Sequence, residues 1–128
     1  AGKRTVDFNI SHSGEFILAV FAVGMDIGVD VQEMAECPDY REIAENFYTA
    51  EEAEDVKNEG PDLFFQYWAA KEAYVKALGI GLGRGMDFFS VRNEKIAEKD
   101  KKDQDWFLYP VRIKGYAAYV AAHKKGDR

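Results

Sequence analysis

Apolar and polar positions alternate from the start of the chain. Val6, Phe8 and Ile10 are separated by Asp7 and Asn9, a period of two that predicts a strand over residues 6–10. Phe16 to Val23 is rich in large apolar residues and predicts a buried strand. Ser11-His12-Ser13-Gly14 lies between them as a polar turn. Alternation returns from Asp26 to Gln32, with Ile27, Val29 and Val31 on one face and Asp26, Gly28, Asp30 and Gln32 on the other. Together these pieces predict an antiparallel meander.

The pattern then changes to a helical one. Cys37-Pro38-Asp39 is a break, and Asp39 can cap a helix running to about Phe47. Thr49-Ala50-Glu51-Glu52 has the capping-box spacing and starts a second helix, which ends near Asn58-Glu59-Gly60. Pro61 suits the first turn of the longest helix, about 62–78, with Gly79 as its C-cap. Gly79, Gly81, Gly83 and Gly85 form a glycine-rich loop. Further strands are predicted at 88–92, 106–109, 111–114 and 118–122, and the charged stretch 94–105 reads as a solvated hairpin or loop. Strands, then helices, then strands predict an α+β fold: an antiparallel sheet packed against one long helix and shorter helices.

Length makes 1–128 one domain, with no internal repeat or linker. The net charge of −6 argues against nucleic acid as a partner and offers no general attraction to an anionic membrane. A local basic pocket remains open to Lys3, Arg4, Lys71, Lys76, Arg84, Arg92 and Lys114. One cysteine, Cys37, allows no internal disulfide and fits a reducing compartment. The longest apolar run, 16–25, is too short to span a bilayer, and no signal peptide opens the chain. The expectation is a cytoplasmic protein.

Candidate chemistry gathers on two elements. Asp30, two residues after Gly28, lies on the polar face of its strand and suits a hard cation; taken alone, it reads as a solvent-facing residue. Trp68, Glu72 and Lys76 are four apart and share one helical face with Phe65 and Ala69. A surface ion pair is one reading of Glu72 and Lys76. Partial burial beside the aromatic rings, which shifts pKa values, is the other. His12 in its turn is either a phosphate ligand or a plain turn residue. Glu52 is accounted for by its own capping box. The glycine-rich loop lacks the Gly-Lys-Ser/Thr ending of a phosphate-binding P-loop and follows a helix instead of preceding one.

Four segments, in order, resemble the surfactin-type 4′-phosphopantetheinyl transferases. Phe8-Asn9-Ile10-Ser11-His12-Ser13-Gly14 resembles the family's Asn-x-Ser-His-Ser segment, and Gly28-Val29-Asp30-Val31 its Gly-Ile-Asp-Ile/Val strand. Phe47 to Glu52 resembles its Phe-x-x-x-x-Glu segment, and Trp68 to Lys76 its Trp-x-x-Lys-Glu-Ala-x-x-Lys signature. The Ser-His segment precedes the aspartate strand, as in the surfactin type and unlike the short holo-acyl-carrier-protein synthases.

The resemblance implies one lobe of a two-lobed fold and transfer of 4′-phosphopantetheine from coenzyme A to a serine of an apo acyl or peptidyl carrier protein. Magnesium would be the cofactor and 3′,5′-ADP the product. It implies Asp30 and Glu72 as magnesium ligands, joined by a water or Gln32, which replaces the family's usual acid. Lys76 would neutralise or protonate the leaving group. Ser11, His12 and Lys71 would contact coenzyme A phosphates. Glu72, Glu52 or a metal-bound water would take the serine proton. The carrier is expected near the helices from Glu42 to Asn58. Surfactin-type enzymes are about twice this long, and the match is to their second half. The chain is therefore expected to be a fragment or a separately encoded half. It would transfer as a homo-oligomer or with the missing first half; alternatively it would bind coenzyme A or carrier without turnover.

Overall fold

A computed structural model describes residues 6–81, 85–98 and 105–125 of the chain. Strands β1 (Val6–Ser13) and β2 (Phe16–Val23) form an antiparallel hairpin that turns at Gly14, whose φ of 55° needs glycine. β3 (Met25–Glu33) follows, then helices α1 (Tyr40–Phe47), α2 (Ala50–Glu59) and α3 (Pro61–Leu78). Two short strands, β4 (Phe89–Ser90) and β5 (Ala97–Glu98), pair with each other. β6 (Phe107–Pro110) and β7 (Tyr116–Lys124) complete the α+β fold expected from the pattern. The glycine-rich loop at 82–84 and the charged stretch at 99–104 lie outside the described residues.

The helix signals act as read. Thr49 Oγ1 accepts from the Glu52 N–H (3.2 Å) and Glu52 Oε1 accepts from the Thr49 N–H (3.1 Å), closing the capping box. Pro61 opens α3, and Gly79 ends it in the left-handed region at φ 71°. Asp39 holds the N-cap position of α1 without a side-chain capping bond.

Three strand expectations need correction. The first three strands do not form a meander, because β3 pairs with β7 in the antiparallel order β3-β7-β6. β2 is not buried: Ile17, Phe21 and Val23 are exposed, as are Val6, Phe8 and Ile10 opposite them. The hairpin packs on β3 through its other face, and no described element covers this one. Residues 111–114 make a turn with a single bridge, Ile113 to Tyr116, because the chain must reverse after Pro110.

α3 is buried around most of its circumference, since β3 and β7 flank one side and α1 and α2 the other. Val29, Val56, Tyr74 and Phe89 are fully enclosed, and burial of each such side chain contributes ~1.5–3 kcal/mol. The approach of α3 to β3 depends on Gly28. A Cβ there would stand 2.1 Å from Ala73 O and 2.6 Å from Ala77 N. This contact fixes the height of Glu72 and Lys76 on α3 against Asp30 on β3.

Candidate active site

Asp30 sits in the middle of β3, opposite Tyr119 of β7, and is only 6% exposed. Burial is the main reason its pKa is pushed up to about 6, and the nearby Glu72 carboxylate adds to the rise. Hydrogen bonds from Gln32 and Ser11 and the charge of Lys76 oppose it. Glu72, half-buried on α3, is also raised by burial, with Lys76 pulling it down. Lys76 is lowered by burial and supported by both carboxylates. The helical stripe and the aspartate strand therefore converge into one electrostatically coupled cluster, although they lie forty residues apart in sequence.

Lys76 also ties three elements together. Its Nζ donates to Ile10 O of β1 (2.9 Å) and Val29 O of β3 (2.7 Å). Gln32 Nε2 donates to Asp30 Oδ2 (2.8 Å). The amide thus presents its nitrogen to Asp30, and the side chain would have to turn to offer a cation its oxygen.

The structure places Glu52 and Lys71 in the core. Both are fully buried, with Lys71 Nζ 2.7 Å from Glu52 Oε1. Lys71 also donates to Met86 O (2.7 Å) and Phe89 O (2.6 Å), and its ammonium lies 4.3 Å from the Phe89 ring centre. Glu52 Oε2 accepts from the Val91 N–H (2.7 Å). Every polar atom of the pair is engaged, as a buried ion pair requires. The pair braces residues 86–91 against α2 and α3. Neither side chain reaches solvent. The sequence carried half of this signal, since it placed Glu52 in a capping box but gave no partner for its second oxygen.

Ser11 and His12 also part company. Both belong to β1, not to a turn, so their side chains point to opposite faces. His12 is exposed on the apolar outer face of the hairpin; Ser11 is buried against β3. Ser11 Oγ accepts from the Val31 N–H (3.0 Å) and donates to Asp30 Oδ1 (3.4 Å). Asn9 and Ser13 make matching contacts: Asn9 Oδ1 accepts from the Val29 N–H (2.9 Å) and Ser13 Oγ from the Glu33 N–H (2.8 Å). The polar alternation at 9, 11 and 13 was the signal.

Glu72 and Lys76 are partly buried, as one reading of the stripe held, and Trp68 and Phe65 precede them on α3. With Gln32, Ile43 and Phe64 the two rings line a cavity of about 250 Å³ beside the Asp30 strand. The basic side chains to which a pocket was left open lie apart among the described residues. Lys71 is in the core, Arg92 bonds Glu51 and Asp55, and Lys114 lines a separate groove with Arg112 and Tyr119. Lys3, Arg4 and Arg84 lie outside the described residues.

No group of three or more His, Cys, Asp or Glu that could together hold a metal ion occurs among the described residues. Two coupled carboxylates with raised pKa values, one nearly enclosed, nevertheless suit a hard cation that takes one or two protein carboxylates and completes its shell with phosphate and water. Asp30 and Glu72 fit that description.

Comparison with known proteins gives a consistent relationship. The sequence profile of the 4′-phosphopantetheinyl transferase superfamily matches residues 26–121, which include Asp30, Glu52, Lys71, Glu72 and Lys76. The 4′-phosphopantetheinyl transferase Sfp of Bacillus subtilis (strain 168) is 38% identical over 89 residues, covering 66% of this chain and 38% of its own. The transferase ffp of Bacillus subtilis is 40% identical over the same share of each. The L-aminoadipate-semialdehyde dehydrogenase-phosphopantetheinyl transferase of Rattus norvegicus is 29% identical, covering 94% of this chain and 47% of its own. The chain thus spans less than half the length of these relatives. Because the profile takes in the aspartate strand, the long helix and the pairing strand β7 as one unit, this chain belongs to the 4′-phosphopantetheinyl transferase superfamily.

Proposed function

We propose that this chain is the catalytic lobe of a magnesium-dependent transferase that moves 4′-phosphopantetheine from coenzyme A to a serine of an apo carrier protein. The observation that carries this reading is the coupled Asp30–Glu72–Lys76 cluster, built from two family segments by the Gly28 approach of α3 to β3.

In the reaction, the serine oxygen forms a bond to the phosphorus that bears the pantetheine. The phosphoanhydride bond to 3′,5′-ADP breaks, and the serine proton leaves. Alignment and neutralisation of the pyrophosphate charge are the main demands. A magnesium ion held by Asp30 and Glu72 would supply that neutralisation. Glu72 is the carboxylate left to receive the serine proton, since Glu52 is enclosed with Lys71. Lys76, anchored on two carbonyls, keeps its charge beside the leaving group. His12, on the exposed face of β1, keeps the phosphate role implied by the family segment; Ser11 does not. The cavity of Ile43, Phe65 and Trp68 places apolar surface beside the cluster on the α1 side, where the carrier is expected.

The exposed face of the hairpin favours a second lobe. Val6, Phe8, Ile10, Ile17, Phe21 and Val23 make one apolar surface, and a surface of that kind marks an interaction site. Covering it, by a second copy or by a different lobe, would enclose the His12 side of the site. The alternative, a half that binds coenzyme A or carrier without turnover, draws on the same open face.

A mass-spectrometric transfer assay tests the proposal. The chain is mixed with coenzyme A, magnesium and an apo carrier protein at low and high chain concentration, with an EDTA control. A metal-dependent phosphopantetheine increment, absent for Glu72→Gln, is expected. Full turnover by Glu72→Gln would remove Glu72 from the mechanism. Coenzyme A binding without any increment at high concentration would leave the binding-only half.

A further inference from the structure

β3 is an edge strand in its sheet, with β7 on one side only. Its other edge is nonetheless buried by β1, and buried N–H groups without partners would each cost about 1–3 kcal/mol. β1, whose backbone pairs with β2 along one edge, satisfies them with side chains. Asn9, Ser11 and Ser13 stand two apart on β1 and accept from the N–H groups of Val29, Val31 and Glu33, also two apart on β3. The result is a side-chain ladder that sews a hairpin onto a sheet edge.

The central rung differs from its neighbours. After accepting from Val31 N–H, the Ser11 hydroxyl still has its own proton, and its acceptor is Asp30 Oδ1 at 3.4 Å. Gln32 Nε2 bonds the other oxygen, Oδ2, at 2.8 Å. Asp30 is therefore held at both oxygens by groups from two strands. Ser11 is itself fixed by the backbone of the residue next to Asp30.

We infer that Ser11 is a positioning residue for Asp30. The ladder serves the fold, and its central hydroxyl also sets the orientation in which the carboxylate meets a cation. The inference rests on the reading of Asp30 as a metal ligand.

Three rungs of one ladder supply their own controls. Ser11→Ala and Ser13→Ala each remove one hydroxyl that accepts a β3 N–H, so both lower the melting temperature. Only Ser11→Ala removes a bond to the carboxylate. Binding of Mn²⁺ alone, followed by electron paramagnetic resonance without coenzyme A, is expected to weaken about 10-fold in Ser11→Ala, the lower end for loss of a group that orients a ligand. Ser13→Ala and Ser11→Thr are expected to bind as wild type. Ser11→Cys keeps the volume with a weak sulfur donor; it is expected to weaken binding even if the alanine variant unfolds. Unchanged Mn²⁺ binding in Ser11→Cys, or equal weakening in Ser13→Ala, would overturn the inference while leaving the metal site in place. Equal binding by wild type and Asp30→Asn would instead overturn the metal reading itself, and this inference with it.

Discussion

Gly28→Ala tests the contact on which both the fold and the site depend. The new methyl would lie 2.1 Å from Ala73 O and 2.6 Å from Ala77 N, both backbone atoms of α3. No rotamer change relieves a clash with backbone, so strand and helix must separate by about 1 Å to reach even a tight contact. Overpacking costs ~1–3 kcal/mol. With backbone as the obstacle the upper end applies, ~3 kcal/mol, or a fall of about 10 °C in melting temperature for a chain of this size. The same separation carries Glu72 and Lys76 away from Asp30. A displacement of ~1 Å in a reacting constellation can lower turnover about 100-fold. Circular-dichroism melting and the carrier-transfer assay measure the two effects. Gly81→Ala is the control, since a Cβ there meets no described atom within 4 Å and no positive φ opposes it. A Gly28→Ala protein that melts within about 2 °C of wild type, the range of an ordinary surface substitution, would refute the close approach and the site built on it.

Two further outcomes follow from buried charge. Lys71→Met leaves Glu52 enclosed without a counter-charge and is expected to cost ~3–5 kcal/mol in urea unfolding, while Glu52→Gln/Lys71→Met recovers much of the loss; a single variant as stable as wild type would remove the brace. Asp30 binds its proton more tightly folded than unfolded, its pKa rising from 3.8 to about 6. Stability in EDTA should therefore fall as pH rises from about 4 to 6, by up to ~3 kcal/mol, and then level off. Asp30→Asn should lessen that decline, leaving the part due to Glu72, whose pKa is also raised; an unchanged pH profile in Asp30→Asn would show that another group causes it.

Much of the site was legible as residue types at given spacings. The four-residue interval places Trp68, Glu72 and Lys76 on one stripe whatever surrounds the helix, because helical geometry is local. The capping box of Thr49 and Glu52, Pro61 at the start of α3 and Gly79 at its end likewise follow from backbone needs met within a few residues. The aspartate strand was recognisable by its alternation. Its sheet partner was not, because β7 lies some ninety residues away and period-two patterning carries no address.

The sequence by itself determined the helices, the strand periodicity and the family, since each is written in short-range order or in the order of segments. Tertiary structure alone decided what the polar side chains do. It enclosed Glu52 and Lys71 as a brace where sequence placed them at the chemistry, because burial depends on how three elements and the 86–91 segment meet. It turned Asn9, Ser11 and Ser13 into partners for β3, because only the packed hairpin reveals which N–H groups lack a backbone acceptor. It also exposed Phe8 and Phe21. Hydrophobicity gives the tendency of a side chain to leave water, but whether something covers it is a property of the assembled surface.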